Sequence, residues 1–186
     1  MSSYCIFAPG HPVHDSYHAS EYGFPQRDEA VLFERLCLEI MQAGLSWELV
    51  LKRREGMRRA FSAFAVDQVA AMGPDDEARL LADPAIIRNR LKVAAIIENA
   101  RRLQALRTSH GGFALWLDAH HPRDKADWVK LFGKTFKFTG GEIVGEFLMS
   151  LGYLPGAHAE DCPVHAKIVA LRPPWQIVAR RAGEKR

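Results

Sequence analysis

The sequence predicts an all-α protein. Apolar residues recur at helical spacing in several long segments, and no stretch alternates between polar and apolar residues for long, as a half-buried strand would. Threonine, which strands favour, occurs only three times in 186 residues. We expect one domain over residues 1–186, either compact or divided into two small helical lobes that flank a cleft, with a tail over 166–186.

The first half of the chain contains two predicted long helices. Residues 2–26 hold Pro and Gly breakers and are predicted to form a loop. Asp28 is predicted to cap the first long helix, and Ser46 a second one that runs to about Phe64. A tight turn that contains Gly44 separates the two helices.

Shorter elements follow. Asp67 is predicted to open a short helix, and Pro74 with three acidic residues after it begins another that ends before Asp83. Residues 85–90 form a brief connection to an apolar-periodic helix over about 92–106. The next helical segments, separated by Gly and Pro breakers, are predicted around 113–117, 128–132 and 142–151, with a loop over 152–163 and one weak helix in the tail.

The charge pattern and the cysteine count limit the class of protein. The formal net charge is only +3, but the cations form three groups. The groups are Lys52, Arg53, Arg54, Arg58 and Arg59; Arg88, Arg90 and Lys92; and Arg180, Arg181, Lys185 and Arg186. The start of the chain lacks the apolar segment of a signal peptide, and no apolar run approaches the roughly 20 residues of a membrane span. With three cysteines and no sign of a disulfide framework, we expect a cytoplasmic protein.

The role of Glu39 is the main functional question. This glutamate lies in residues 36–47, which lead from the first long helix through the turn. Glu39 lies between two apolar patches near the end of this helix, where the helix dipole disfavours a negative charge. Glu39 could form a surface ion pair with Arg35. Alternatively, Glu39 could line a pocket for a positively charged or amine-bearing ligand, with Trp47 as an aromatic wall.

Two cysteines and two histidines form a possible metal site. Cys5 and His18 lie near the start of the chain, and His158 and Cys162 lie near its end. Such a set suits tetrahedral Zn²⁺, and four protein ligands would make the site structural. The residues alone leave the ligands open, because other histidines could replace members of the set: His11, His14 and His165. The third cysteine, Cys37, has the spacing of a core residue.

Several motifs together resemble one enzyme family. They are Cys5, Tyr17-His18, Glu21-Tyr22-Gly23, Cys37-Leu38-Glu39, Gln42-Ala43-Gly44-Leu45-Ser46-Trp47, Leu51-Lys52-Arg53-Arg54-Glu55, Ile86-Ile87-Arg88-Asn89-Arg90, Phe136-Lys137-Phe138-Thr139-Gly140 and His158-x3-Cys162. The combination is similar to the type I DNA-3-methyladenine glycosylases over about residues 4–106 and 136–162.

The resemblance implies a helix-hairpin-helix glycosylase in which one structural Zn²⁺ joins the N- and C-terminal loops. The implied zinc ligands are Cys5, His18, His158 and Cys162. The hairpin would be the turn at 86–90, and the residues expected to contact duplex DNA are Gly44, Leu45, Arg88, Arg90 and Lys92. Leu45 would fill the space that a flipped base vacates.

The resemblance also implies a reaction. Glu39 would be the catalytic residue, and the base pocket would contain Tyr17, Trp47, Tyr22, Phe7 and His14. 3-Methyladenine in DNA is cationic, so its glycosidic bond is already weakened, and Glu39 would act by recognition and electrostatics more than as a general base. We expect hydrolysis without a lyase step in a monomer that binds alkylated double-stranded DNA, without a membrane or a nucleotide cofactor.

The sequence departs from the family pattern at four positions. Phe7, His14 and Tyr22 replace aromatic residues that are usual there, and Ala85 replaces a glycine before the hairpin. Two hypotheses therefore remain at this stage: a glycosylase that releases 3-methyladenine, and a zinc-stabilised helical DNA-binding paralogue with altered lesion specificity or no excision activity.

Overall fold

The computed structural model describes residues 3–177, and within them it contains helices and no strands. We number the helices α1 to α11. They are α1 (Ser3–Phe7), α2 (Asp15–Ser20), α3 (Glu29–Gln42), α4 (Trp47–Ala60), α5 (Val66–Ala70), α6 (Pro74–Ala82), α7 (Arg90–His110), α8 (Phe113–His120), α9 (Lys125–Thr135), α10 (Gly141–Ser150) and α11 (Pro163–Ala170). The all-α prediction is confirmed. No helix in the described part of the chain is both long enough and apolar enough to span a membrane.

Helix α3 lies at the centre of the fold. All ten residues from Leu32 to Met41 are buried, and α3 packs against α4, α7, α8 and α10. The Asp28 carboxylate accepts a hydrogen bond from the Val31 amide at 3.0 Å, so the predicted N-cap is confirmed. Because α3 is surrounded by other helices, any polar group on it must face a partner or a cavity.

Buried ion pairs fix α4 against α3. The Arg54 guanidinium donates to Glu34 at 2.8 Å and to both carboxylate oxygens of Glu21, at 2.8 and 2.7 Å. Arg58 donates to the same Glu34 carboxylate at 2.6 Å. Arg54 is therefore engaged inside the protein, and Arg58, which is partly exposed, pairs with Glu34 nearer the surface.

Several predicted boundaries differ from the structure, and α7 and α8 both continue past their predicted ends, to His110 and His120. Residues 2–26 are not all loop, because α1 and α2 form there; helices of five and six residues are too short to show a periodic pattern. Helix α4 ends at Ala60 and not near Phe64, since Ser62, Ala63 and Phe64 all have positive φ. Helix α9 is longer than predicted, with Asp124 as its N-cap. The last basic group, residues 180–186, lies outside the described residues.

Candidate active site

The turn between α3 and α4 sets the positions of Glu39 and Trp47. Gly44 has φ +81°, a left-handed conformation that glycine adopts without strain. The Ser46 hydroxyl accepts a hydrogen bond from the Leu49 amide at 3.3 Å and so starts α4 at Trp47. Lys92 fixes the other side of the turn, since its Nζ donates to the carbonyl oxygens of Met41 at 2.9 Å and Ala43 at 2.6 Å.

Glu39 is a buried carboxylate. It is 4% exposed, and no hydrogen bond to it is found among the residues that the structure describes. The surface ion pair with Arg35 is contradicted, because Arg35 is 3% exposed and its guanidinium donates to the carbonyl oxygens of Glu21 and Ser150, each at 2.7 Å. Burial, and secondly the charge of Glu146, raise the pKa of Glu39 well above its ordinary value, although Arg35 opposes the shift.

Glu39 opens into a cavity of about 350 Å³. Its lining is largely aromatic and polar: Tyr4, Tyr17, Tyr22, Glu39, Gln42, Trp47, Glu146, Met149, Gly156 and Ala157. The rings of Tyr17 and Trp47 meet edge to face with centroids 5.1 Å apart, and Tyr17 and Tyr22 lie 5.8 Å apart. The cavity therefore has aromatic walls with a carboxylate beside them.

The cavity lining differs in part from the sequence-predicted pocket. Tyr17, Tyr22, Glu39 and Trp47 are brought together as predicted. Phe7 and His14 do not line the cavity. Phe7 is 53% exposed and packs against His14 with centroids 5.1 Å apart, so both residues belong to an aromatic cluster outside the cavity.

Sequence reasoning missed several lining residues, above all Tyr4 and Glu146. Tyr4 precedes the proposed metal ligand Cys5, and its ring packs edge to face against Tyr22 at 5.8 Å. Glu146 is the one acidic residue within the apolar pattern of α10, after the first turn, and that break in the pattern could have drawn attention to it.

The four predicted metal ligands meet in the structure. Cys5, His18, His158 and Cys162 are all buried, and their ligand atoms lie within 4.8 Å of one another. His158 Nδ1 lies 3.6 Å from the sulfur of each cysteine, and His18 Nε2 lies 3.8 Å from Cys162 Sγ. This group could hold a metal ion.

The hydrogen bond made by the second ring nitrogen of His158, Nε2, supports a role for this residue as a metal ligand. His158 Nε2 lies 2.8 Å from the carbonyl oxygen of Tyr22, which can only accept. Nε2 therefore carries the proton, and the lone pair of Nδ1 faces the two sulfur atoms. Burial lowers the pKa of His158 and of His18, which favours the neutral imidazoles that bind metals.

A second group of possible metal ligands lacks such a free nitrogen lone pair on one of its histidines. His11, His14 and Glu48 also place their ligand atoms within 4.8 Å of one another. However, His11 Nδ1 accepts from the backbone amides of Val13 at 3.2 Å and His14 at 3.4 Å. Its neutral ring then carries the proton on Nε2 and has no free lone pair for a metal.

The predicted DNA-contacting residues divide into two sets. Gly44 and Leu45 form the exposed tip of the α3–α4 turn, and Arg88 and Arg90 are exposed at the start of α7. Lys92 corrects the prediction: it is 4% exposed and its amine is bound to two carbonyl oxygens, so it positions the turn and does not reach a phosphate.

The hairpin between α6 and α7 is closely packed on α4. A Cβ added to Gly56 would lie 2.3 Å from the carbonyl oxygen of Ala85, so glycine permits this approach. Ala85 does not have positive φ, and the glycine usual at this position is therefore not required. In the described part of the chain, the backbone N–H groups of Ile87 and Arg88 have no hydrogen-bond acceptor.

Comparison with known proteins agrees with this geometry. A family model described as methyladenine glycosylase matches residues 7–130. The DNA-3-methyladenine glycosylase 1 of Escherichia coli (strain K12) is 48% identical over 177 residues, which cover 85% of this chain and 94% of the relative.

Solved structures show the same fold. A crystal structure of 3-methyladenine DNA glycosylase I is 34% identical, with a TM-score of 0.78 over 87% of this chain and 98% of that chain. A Tyr-to-Phe variant of such an enzyme, solved in complex with 3-methyladenine, is 31% identical, with a TM-score of 0.78 over 87% of this chain and 97% of that chain. The chain therefore belongs to the methyladenine glycosylase family of enzymes.

Proposed function

We propose that this protein hydrolyses the N-glycosidic bond of 3-methyladenine in alkylated duplex DNA. The observation that carries the proposal is the buried Glu39 carboxylate, which has no hydrogen-bond partner in the described chain and faces an aromatic cavity. Family membership and the complex of a relative with 3-methyladenine support the same substrate.

The cavity chemistry suits a cationic base. Methylation at N3 leaves the adenine ring positively charged in DNA, and the faces of Tyr17, Tyr22 and Trp47 attract such a ring. Glu39 accepts hydrogen bonds from the amino edge and supplies the opposite charge. Neutral adenine gains much less from either interaction, and it must also leave a well-paired duplex.

The reaction needs little acid catalysis, because the damaged base leaves as a neutral molecule. Glu39 stabilises the positive charge that develops on the sugar as the bond breaks, and water completes the hydrolysis. No lysine lines the cavity in the described part of the chain, so no amine is placed to attack the sugar as a lyase nucleophile would. The proposed enzyme is therefore monofunctional.

DNA would bind across the turn and the hairpin. The free N–H groups of Ile87 and Arg88, with the side chains of Arg88 and Arg90, would hold a phosphate at the start of α7. Leu45, which is 39% exposed at the tip of the turn, would enter the duplex where the damaged base has left.

The buried Cys–His group would hold one structural Zn²⁺. Zinc bonds of roughly 2.3 Å to sulfur and 2.0 Å to nitrogen place tetrahedral ligand atoms about 3.5 Å apart. The separations of 3.6 and 3.8 Å are close to that value. The ligands would join α1 and α2 to the loop before α11 and so hold Tyr4, Tyr17 and Tyr22 against the rest of the cavity.

One assay tests the proposed function. Methylated duplex DNA is incubated with the protein, and released bases are separated by chromatography. We expect free 3-methyladenine, no strand cleavage, and much less release by Glu39→Gln at equal protein concentration. DNA binding without release of 3-methyladenine above background would overturn the proposal.

A further inference from the structure

A second carboxylate shares the cavity with Glu39. Glu146 lies on α10, opposite the end of α3, and lines the same cavity. The Tyr22 hydroxyl donates a hydrogen bond to Glu146 Oε2 at 2.8 Å. This bond holds the carboxylate in place and leaves its other oxygen available to a ligand.

No cation of the described chain lines the cavity beside these two acids, although the charge of Arg35 on α3 partly opposes the raised pKa of Glu39. The lining contains Glu39 and Glu146 but no lysine, arginine or histidine among the described residues. The nearest guanidinium on α3, that of Arg35, donates to the carbonyl oxygens of Glu21 and Ser150. Glu39 is buried and Glu146 is partly buried, and carboxylates removed from water are normally paired with a positive group. The unbalanced charge therefore favours a positively charged ligand.

The charge of Glu146 also acts on Glu39. After burial itself, the charge of Glu146 is the largest cause of the raised pKa of Glu39. A cation bound between them would relieve this repulsion, whereas a neutral ring would leave it in place.

We propose that Glu146 is a specificity-determining residue, whose charge adds to that of Glu39 and makes the cavity select positively charged purines over neutral ones. The proposal rests on the proposed function and deepens it. The ligand class is a purine that is alkylated on a ring nitrogen and retains an exocyclic amine, because such a ring offers both a positive charge and N–H donors to the two carboxylates.

Glu146 could instead serve only to hold Tyr22, and one substitution separates the two roles. Glutamine at position 146 keeps an oxygen that accepts from the Tyr22 hydroxyl but removes the charge. If Glu146 acts by charge, Glu146→Gln weakens the binding of a cation and leaves the binding of a neutral ring nearly unchanged. If Glu146 only holds Tyr22 in place, Glu146→Gln changes neither the binding of the cation nor that of the neutral ring.

The test compares two small probes of similar shape. The cation 3,9-dimethyladeninium and neutral 9-methyladenine are titrated into the protein, and their Kd values are measured by calorimetry. The ratio of the two Kd values defines the cation preference. We expect Glu146→Gln to lower this preference roughly tenfold, mostly through weaker binding of the cation.

A matched control lies on the same helix. Glu142 is also on α10, but its side chain is 88% exposed and pairs with Lys125 at 3.0 Å. Glu142→Gln removes the same charge outside the cavity and should keep the cation preference. If Glu146→Gln does not fold by circular dichroism, Glu146→Ser is compared with Tyr22→Phe. Both variants lose the hydrogen bond between Tyr22 and Glu146, but only Glu146→Ser loses the charge and should lower the cation preference.

A cation preference of Glu146→Gln within about twofold of the unchanged protein would overturn the role of Glu146. Release of 3-methyladenine from methylated DNA is measured in parallel. No release by the unchanged protein would overturn the proposed function, whereas release with an unaltered preference in Glu146→Gln would overturn only the inference about Glu146.

Discussion

Lys92 Nζ lies 2.6 Å from the carbonyl oxygen of Ala43, and this contact ties the helix after the hairpin to the turn that carries Leu45. Lys92→Met keeps most of the length of the unbranched side chain but removes the donor from two carbonyl oxygens. We expect a loss of about 1–3 kcal/mol in the free energy of unfolding. We also expect weaker excision, because the turn is no longer fixed. Denaturant unfolding and base release measure the two effects.

Lys130→Met is the control for that change, since Lys130 is a lysine with a 73% exposed side chain on α9. It should leave both measurements nearly unchanged. Equal stability of Lys92→Met and the unchanged protein would contradict a structural role for the buried amine.

Glu39→Gln should lower the rate of 3-methyladenine release roughly a hundredfold, because the pocket loses the charge that favours the cationic base. The fold should remain, since glutamine has nearly the same shape. Single-turnover release from methylated DNA measures the rate. Full activity in Glu39→Gln would remove this residue from the reaction.

The same substitution should change the pH dependence of stability. The pKa of Glu39 is raised above the ordinary 4.5 by burial, so the folded state binds its proton more tightly than the unfolded state. This group therefore contributes stability below the ordinary pKa and loses it as pH rises above that value. Glu39→Gln should gain stability relative to the unchanged protein from about pH 4.5 upward, as measured by denaturant midpoints at several pH values.

Zinc should be present at about one ion per chain in purified protein, as measured by elemental analysis. Cys5→Ala should lose the ion and unfold at a lower temperature, because metal affinity contributes folding free energy. Cys37→Ala is the matched control, since Cys37 is buried in the core away from the four ligands. Zinc retained at full stoichiometry in Cys5→Ala would contradict the assignment.

Gly56→Ala should disturb the hairpin. The added Cβ would lie 2.3 Å from the carbonyl oxygen of Ala85, and the backbone must move to relieve the contact. We expect a loss of about 1–3 kcal/mol in stability and weaker binding to duplex DNA. Thermal unfolding and fluorescence anisotropy with a labelled duplex measure these effects.

Gly133→Ala provides the comparison, because a Cβ at Gly133 on α9 meets nothing within 4 Å. That change should stabilise the protein slightly through helix propensity. A stabilising effect of Gly56→Ala as well would show that the hairpin does not depend on this close approach.

The sequence correctly predicts those parts of the structure that depend on neighbouring residues in the chain. Asp28 and Ser46 cap the two long helices through bonds to amides three residues ahead, and such bonds depend only on local sequence. The positions of Glu39 and Trp47 on either side of the α3–α4 turn suggest a shared pocket, and the family resemblance adds Tyr17; all three residues line one cavity.

The parts that sequence did not predict depend on distant contacts. Lys92 has the position of a DNA-contacting cation, but the carbonyl oxygens at the end of α3, some fifty residues earlier, engage its amine. Tyr4 and Glu146 reach the cavity from opposite ends of the chain, and no local pattern reports that meeting. Phe7 and His14 stand at positions where the family pattern has other aromatic residues, and they pack outside the cavity.

The walls of the cavity come from both ends of the chain: three tyrosines precede residue 23, and Glu146, Met149, Gly156 and Ala157 follow residue 145. During synthesis on a ribosome, α3 and Glu39 emerge long before the second wall is made. An incomplete chain that stops before residue 140 would hold the acid without an enclosure for a purine. The cavity is thus enclosed only after most of the polypeptide has been translated.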